Sequence, residues 1–379
     1  MKINRLSGVN TIDYYKVANK KILLLGFEHN VKGKCNNCTS KNKCYDIVDF
    51  IKKINKKLDI FYEAPIHYIK NKKLKRFNKD NSATFNEIIF ENYIIPMFEE
   101  HSINAIKRHI DIDEKLINVV YNIIDNNDID YKYINNIDID YLRELYNVYN
   151  SSTLEFELWF EFTKQQRNPD KANRFHYFDF RTIKYNPTFF FPHNYAIDYN
   201  INTSSIKFKK YQNQFYNYMD EIKADIIHLI NFMCGINDNI GYKIYNNFYK
   251  IFVKNYKSDI SKNKFYKIVN IYRKLIAKQI KKSMIDKEKM IDTFVEIIDT
   301  IPQNVYLDIF DGGLLFTELY SIPRMFKKYT KNILYIGGSA HCFLVSDFIN
   351  IYFNTESEFT KEGKRNVNCI KNINKKIFT

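Results

Sequence analysis

Two stretches of the sequence deliver a histidine soon after an apolar run that is typical of a buried strand. Residues 22–25 lead into Gly26-Phe27-Glu28-His29, and residues 333–336 lead, after one glycine, into Gly338-Ser339-Ala340-His341. Imidazole and carboxylate groups bind transition metals and transfer protons near neutral pH. The repeated pattern therefore indicates a site for metal binding or proton transfer.

Two further strand-like runs end in charged side chains. The run "DIFYE" ends at Glu63, and "RFHYFDFRT" carries Asp179 and Arg181. In open α/β sheets, the carboxyl ends of parallel strands meet at one edge, where ligands bind. We therefore expect the acidic and basic groups of all four runs to surround one pocket.

The elements that must position these groups follow from hydrophobic periodicity. An apolar strand over 21–27, a helix with apolar residues at helical spacing over 45–58 and a strand over 59–63 form a βαβ unit, which implies parallel strands. The sequence predicts a single α/β domain in which helices flank a central, mainly parallel sheet. Core strands are predicted within 21–64, 174–182 and 332–341, and helical insertions over about 84–166 and 208–300.

Composition limits the classes of partner. A chain of 379 residues with 45% hydrophobic content can bury a core, and the net charge of +15 is spread over solvated helix faces without a basic arm or a nucleic-acid fingerprint. We expect a small-molecule or peptide substrate rather than nucleic acid.

The N-terminal segment lacks the apolar core of a signal peptide, and no apolar run is long enough to span a bilayer, which predicts a cytoplasmic, non-secreted protein without a membrane span.

The cysteines form a separate candidate site. Cys35, Cys38 and Cys44 follow the first strand, and Cys342 adjoins His341. Six cysteines in so long a chain do not suggest a disulfide framework, so free thiols are the expectation. Plain loop cysteines are the first interpretation, a structural zinc site made of these four the second, and a disulfide or redox pair the third.

The two Gly-x-x-His motifs and Glu63 resemble those of the superfamily that groups erythromycin esterases, the haem-binding ChaN lipoproteins, the TraB/PrgY proteins and the Tiki proteases. The chain looks most similar to uncharacterised proteins of large DNA viruses, in which an acid-x-Tyr-x-x-x-Arg-x-Phe helix precedes the second motif. Here that helix carries Glu318, Tyr320 and Arg324. The resemblance implies a parallel sheet flanked by helices and, for a viral protein, a location in the host cytoplasm or the virion.

Two hydrolytic mechanisms fit these residues. In the first, His29, His341 and Glu63 hold a divalent transition metal such as Mn, Co or Zn, Glu28 acts as the general base, and Arg181 or Arg324 stabilises the oxyanion. In the second, which the resemblance to erythromycin esterases implies, His29 activates water without a metal. Either mechanism would hydrolyse an ester or an amide. Substrate contacts are expected from Asp179, Glu318 and Tyr320.

Two alternatives of other classes stay open. One is a non-catalytic virion or structural protein, with virion or homo-oligomer contacts, that keeps the fold with a degenerate site. The other is a haem-binding protein that uses a histidine or tyrosine, as the resemblance to ChaN implies.

Overall fold

A six-stranded sheet forms the centre of the protein in the computed structural model, with the strand order β11-β3-β4-β10-β6-β9. Its bounds are β3 Thr11–Val17, β4 Lys20–Phe27, β6 Asp59–Pro65, β9 Arg174–Asp179, β10 Asn332–Gly338 and β11 Phe359–Glu362. The structure describes residues 2–28, 35, 38–39, 41, 43–54, 56–65, 68–69, 73–74, 90, 94–100, 107, 112–126, 131–147, 158, 161, 173–179, 206–256, 262–301, 314–363, 368–373 and 375–376.

Strands β4, β10, β6 and β9 are parallel neighbours, whereas β3 and β11 extend the sheet in antiparallel fashion. This arrangement confirms the predicted α/β class and the mainly parallel sheet. Although the predicted βαβ unit has parallel strands, β4 and β6 do not pair with each other, because β10 lies between them. The last parallel strand along the chain, β10, thus lies at the centre of the sheet.

Several short strands and one hairpin in the structure were not predicted from the sequence. Strand β3 forms a hairpin with β4 through Ala18 and Asn19, which both adopt positive φ angles although neither is glycine. The N-terminal β2 (Arg5–Ser7) pairs with β5 (Cys44–Asp46) and with β12 (Cys369–Ile370) in a separate three-stranded sheet. Strand β1 (Lys2–Ile3) pairs with β13 (Lys375–Lys376), and β7 (Tyr68–Ile69) pairs with β8 (Lys73–Leu74).

Helices pack around the sheet, and two of them frame the candidate site. Helix α11 (Leu314–Met325) lies against β6 and β9, and helix α12 (Ser339–Phe353) lies against β3, β4 and β10. The predicted helix over 45–58 is the shorter α1 (Ile47–Lys53), because Asp46 caps its N-terminus and its C-cap at Ile54 is extended. None of the helices among the described residues is long and apolar enough to cross a membrane.

The predicted helical segments between the core strands consist mainly of helices joined by short turns where they are described. The first contains α2 Ile95–Glu100, α3 Glu114–Asn126, α4 Tyr131–Asn136 and α5 Ile139–Asn147. The second contains α6 Ile206–Ile222, α7 Ile226–Met233, α8 Asn239–Tyr256, α9 Lys262–Lys281 and α10 Lys287–Thr300, with a 3-10 turn at Lys223–Asp225.

Candidate active site

The carboxyl ends of the parallel strands bring two of the predicted residues into contact. Glu63 lies near the end of β6, and His341 lies in the first turn of α12, directly after β10. The imidazole Nε2 of His341 is 3.2 Å from Glu63 Oε1, and both side chains are almost fully buried. His29 and Arg181 lie outside the described residues, as does the side chain of Asp179, which ends β9.

A bulge in β6 directs the side chain of Glu63 toward His341. Tyr62 pairs with Tyr177 and Pro65 with Asp179, so two residues of β6 face the single Phe178 of β9. Such bulges redirect side chains and are frequent beside active sites. The carboxylate of Glu63 also accepts a hydrogen bond of 2.5 Å from the backbone N–H of Gly338, the N-cap of α12. A negative charge at this helix end is favourable because the helix dipole is positive there.

The second ring nitrogen of His341 contacts another glutamate. Its Nδ1 lies 2.9 Å from Oε1 of Glu318, which belongs to α11 and is fully buried. The same oxygen accepts a hydrogen bond of 2.8 Å from the hydroxyl of Tyr335 in β10. The carboxylate of Glu318 is thus enclosed against His341 and Tyr335, and its expected contact with a substrate stays a prediction.

Two aromatic residues that the sequence analysis missed line the histidine. Phe178 stacks on Tyr335 with ring centroids 4.6 Å apart, and it meets His341 edge-on at 5.8 Å. Both occur in apolar strand runs, where the ordinary interpretation is core packing. The available signal was the polar hydroxyl of Tyr335 within the aliphatic run of β10.

His341 is held as a cation by its two carboxylate neighbours. Burial alone would lower the pKa of His341, but Glu63 and Glu318 outweigh this effect and raise it to about 10. Because both nitrogens face carboxylates, we assign a proton to each of them. Burial raises the pKa of Glu318, and the hydrogen bonds from His341 and Tyr335 oppose that rise. A cationic imidazole in this position can donate a proton or stabilise negative charge.

The other two motif residues of α11 are directed elsewhere. Arg324 donates a hydrogen bond of 2.6 Å to the hydroxyl of Tyr320, and both side chains are buried. The Arg324 charge also contributes, after burial, to lowering the pKa of His176 to about 4. His176 lies in the middle of β9 and contacts Asp59 near the opposite edge of the sheet. Arg324 lies about 9 Å along the helix from Glu318, which does not support an oxyanion role at His341.

Glu28 occupies the end of β4 and is held by two asparagines. Its carboxylate accepts a hydrogen bond of 2.8 Å from Asn10, and its backbone N–H and C=O both bond to the carboxamide of Asn368. Gly26, in the same motif, allows the Thr11 side chain and the Ser339 backbone to lie close to it, and its backbone does not adopt an unusual turn conformation. A Cβ there would lie 2.1 Å from Oγ1 of Thr11 and 3.0 Å from the Cα of Ser339.

The predicted zinc set is wrong in this structure, and the expected free thiols are wrong for four of the six cysteines. Cys35 forms a disulfide with Cys369, and Cys38 forms one with Cys44. Cys342 stays free but is buried beside the carbonyl of Gly337. The third interpretation of the sequence, disulfide pairing, is the one that the structure contains. The Cys35–Cys369 pair was missed because its two members are 334 residues apart in sequence.

The fit of a metal ion can be judged from the donors present. Within the described part of the chain, no group of three histidine, cysteine, aspartate or glutamate side chains is arranged to hold a metal. Glu63 and His341 Nε2 would supply two ligands, and Glu318 would orient the ring through Nδ1, as carboxylates do for metal-binding histidines. A catalytic zinc site requires a third protein ligand. For haem, His341 fits poorly, since both of its nitrogens are occupied.

Comparisons with protein-family models, with curated proteins and with solved structures find no match to this chain. The resemblance to the Gly-x-x-His superfamily therefore rests on its motifs, and the function depends on the chemistry of the site itself.

Proposed function

We propose that the protein is a hydrolase of ester or amide bonds and that Glu63, His341 and Glu318 form its reaction centre. One observation carries this proposal: a buried histidine contacts two glutamates, one through each ring nitrogen, at the carboxyl edge of parallel strands. Such strand ends are where α/β proteins bind ligands, and strongly shifted pKa values are enriched at functional sites.

The charges assign a role to each group. Glu63 is the candidate base, which takes a proton from water as the hydroxide adds to the substrate carbonyl carbon. The imidazolium of His341 then donates its Nε2 proton to the leaving oxygen or nitrogen, as general acids do. Glu318 stabilises the imidazolium from the other side. Transfer of the proton from Glu63 to Nε2, across 3.2 Å, restores the starting state.

The test is a panel of activated esters and anilides assayed with Glu63→Gln, His341→Gln and Glu318→Gln. We expect a loss of about 100-fold or more in kcat for each variant, the usual range for general acid–base groups. His228→Gln is the matched control, since this half-exposed histidine also contacts a carboxylate through Nδ1, at 2.8 Å from Asp238. Equal turnover in all four variants, each folded by circular dichroism, would contradict the assignment and favour the non-catalytic alternative.

A metal-assisted form of the same hydrolysis is the second candidate. The observation in its favour is that Glu318 holds Nδ1 while Nε2 faces Glu63. A divalent metal such as Zn, Mn or Co would supply Lewis acidity and an acidified water. Mass spectrometry of protein purified without chelator should then show stoichiometric metal, which Glu63→Gln and His341→Gln remove. We expect Glu318→Gln to weaken metal affinity about 10- to 100-fold, as losses of orienting carboxylates do.

A further inference from the structure

The C-terminal segment reaches the same sheet edge through Asn368, which is buried. Its carboxamide oxygen accepts a hydrogen bond of 3.0 Å from the backbone N–H of Glu28, and its amide nitrogen donates one of 3.1 Å to the backbone C=O of Glu28. The side chain of one residue thus binds both backbone polar groups of another that is 340 positions away.

This contact extends the hydrogen bonding of β4 beyond its ladder with β3. Strand β3 begins at Thr11, which pairs with Gly26, so β3 does not extend far enough to pair with Glu28. A carboxamide carries the same donor and acceptor as a peptide group, and backbone groups left unpaired in a protein interior are costly. Asn368 therefore continues the hydrogen bonding of β4 by one residue, and Asn10 fixes the Glu28 carboxylate.

A disulfide holds Asn368 in this position. The next residue, Cys369, is bonded to Cys35 and pairs with Ser7 in the short ladder between β12 and β2. The backbone of Asn368 itself accepts a hydrogen bond from Gly8 N–H, and Cys35 N–H donates to the Ser7 hydroxyl. Since β12 contains two residues, the covalent bond is the strongest tie of this segment to the N-terminal strands.

We propose that Asn368 is a positioning residue of the candidate site and that the Cys35–Cys369 disulfide keeps it there. Asn368 fixes the backbone at Glu28, which directly follows Phe27; Phe27 pairs with Gly338, whose N–H donates to Glu63 and which precedes the helix of His341. We call the hydrogen bonds between Asn368 and Glu28, together with the disulfide that maintains them, the clamp. The effect on turnover rests on the proposed hydrolase function, whereas the clamp does not. Reduction by dithiothreitol oxidises its two thiols to a cyclic disulfide, converts Cys35 and Cys369 to thiols and frees the segment that carries Asn368.

The clamp is tested by amide hydrogen exchange of Glu28, measured by NMR on the full chain. Exchange reports local opening, so loss of the Asn368 contact should accelerate it. We expect acceleration of about tenfold or more in Asn368→Ala, in the Cys35→Ser/Cys369→Ser double variant and after dithiothreitol treatment. The amide of Leu24, in the middle of β4, should stay protected and so report that the sheet is intact.

Two matched variants control for general loosening. The Cys38→Ser/Cys44→Ser double variant removes the other disulfide, and Asn136→Ala removes an exposed asparagine of α4; both should leave Glu28 exchange at the wild-type rate. Unchanged exchange in Asn368→Ala would overturn the clamp. Acceleration in Asn368→Ala without acceleration in the Cys35→Ser/Cys369→Ser variant would overturn the role of the disulfide.

Turnover separates this inference from the proposed function. If the wild type hydrolyses ester or anilide substrates, Asn368→Ala should lower kcat more than it raises KM, and Asn368→Asp, which keeps the acceptor for Glu28 N–H, should recover part of the loss. If the wild type shows no hydrolysis, the hydrolase proposal fails while Glu28 exchange still tests the clamp. Hydrolysis with wild-type kcat in Asn368→Ala would refute the positioning role alone.

Discussion

His341 carries a positive charge inside the protein because two carboxylates surround it. Burying an unpaired charge is unfavourable. A buried ion pair stabilises the folded protein only where its geometry is good and its remaining hydrogen bonds are made. Here Glu63 contacts Nε2, Glu318 contacts Nδ1, and Tyr335 donates to the Glu318 oxygen that the ring uses. Removing any member of this group leaves a buried charge with fewer partners.

The first prediction concerns stability against pH. Folding raises the pKa of His341 from an ordinary 6.5 to about 10, so its stabilising contribution is complete below pH 6.5 and is lost as the pH rises through 10. The free energy of unfolding should therefore fall by a few kcal/mol over this range, at about 1.4 kcal/mol for each pKa unit. Urea titrations in chelator at pH 6.5, 8 and 10 measure it.

His341→Gln should abolish most of that pH dependence. His176→Asn is the control, because burial and the Arg324 charge lower the pKa of His176 to about 4, outside the range of the titrations. Parallel curves for wild type and His341→Gln would contradict the charged state assigned to His341.

A second prediction tests the hydroxyl of Tyr335. Tyr335→Phe keeps the ring that stacks on Phe178 but removes the hydrogen bond to Glu318. We expect a loss of about 1–3 kcal/mol in the free energy of unfolding, the usual range for a buried hydrogen bond to a charged group. Tyr121→Phe, at a side chain that is 49% exposed, should have little effect in the same urea titration. Similar small losses in both variants would contradict a role for the Tyr335 hydroxyl in the site.

At the scale of elements, the sequence predicts which residues lie at the strand ends but not the detailed geometry of those ends. Glu63 and His341 follow apolar runs, which is a local pattern, and the parallel strands then bring them to one edge. The bulge at Glu63 depends on pairing with β9, more than 100 residues away, and has no local signature. The hairpin between β3 and β4 was missed because its turn uses Ala18 and Asn19 instead of a glycine.

A third prediction concerns the helical layer. Helices α7 and α8 approach each other at Gly241, where a Cβ would lie 2.1 Å from the backbone oxygen of His228 and 2.7 Å from the Cβ of Phe232. Gly241→Ala should therefore separate the two helices and cost about 1–3 kcal/mol, as overpacking usually does. Thermal unfolding measures the loss. Gly337→Ala is the control, because its nearest contacts would be ordinary ones at 3.4 Å, and a drop in Tm as large as that of Gly241→Ala would refute this explanation.

At the scale of the whole molecule, the two ends of the chain fold together. Strand β1 pairs with β13, β2 pairs with β12, and the Cys35–Cys369 disulfide spans 334 residues. Contacts between such distant segments leave no trace in local periodicity, so the pairing of the cysteines could not be predicted from their spacing. Disulfides form mainly in oxidising environments, which runs against the expectation of thiols in a cytoplasmic protein.

The number of thiols that react with a reagent tests the disulfide pairing directly. Of the six, four are paired and two, Cys234 and Cys342, are free but buried. Protein prepared under oxidising conditions should show almost no reaction with a thiol reagent when native, about two thiols per chain when denatured without reductant, and about six after reduction. Cys342→Ser should lower the middle value to one. About six thiols in the denatured, unreduced protein would refute the pairing.

The same preparations test how much the long disulfide stabilises the fold. In the chain-entropy description, a cross-link that closes a longer loop restricts the unfolded chain more, so Cys35–Cys369 should contribute more than Cys38–Cys44, whose partners are six residues apart. We expect a loss of about 2–5 kcal/mol in Cys35→Ser/Cys369→Ser and a smaller loss in Cys38→Ser/Cys44→Ser. Urea unfolding at constant pH measures both. The reverse order would mean that the chain ends are held together mainly by their strand pairing and not by the covalent bond.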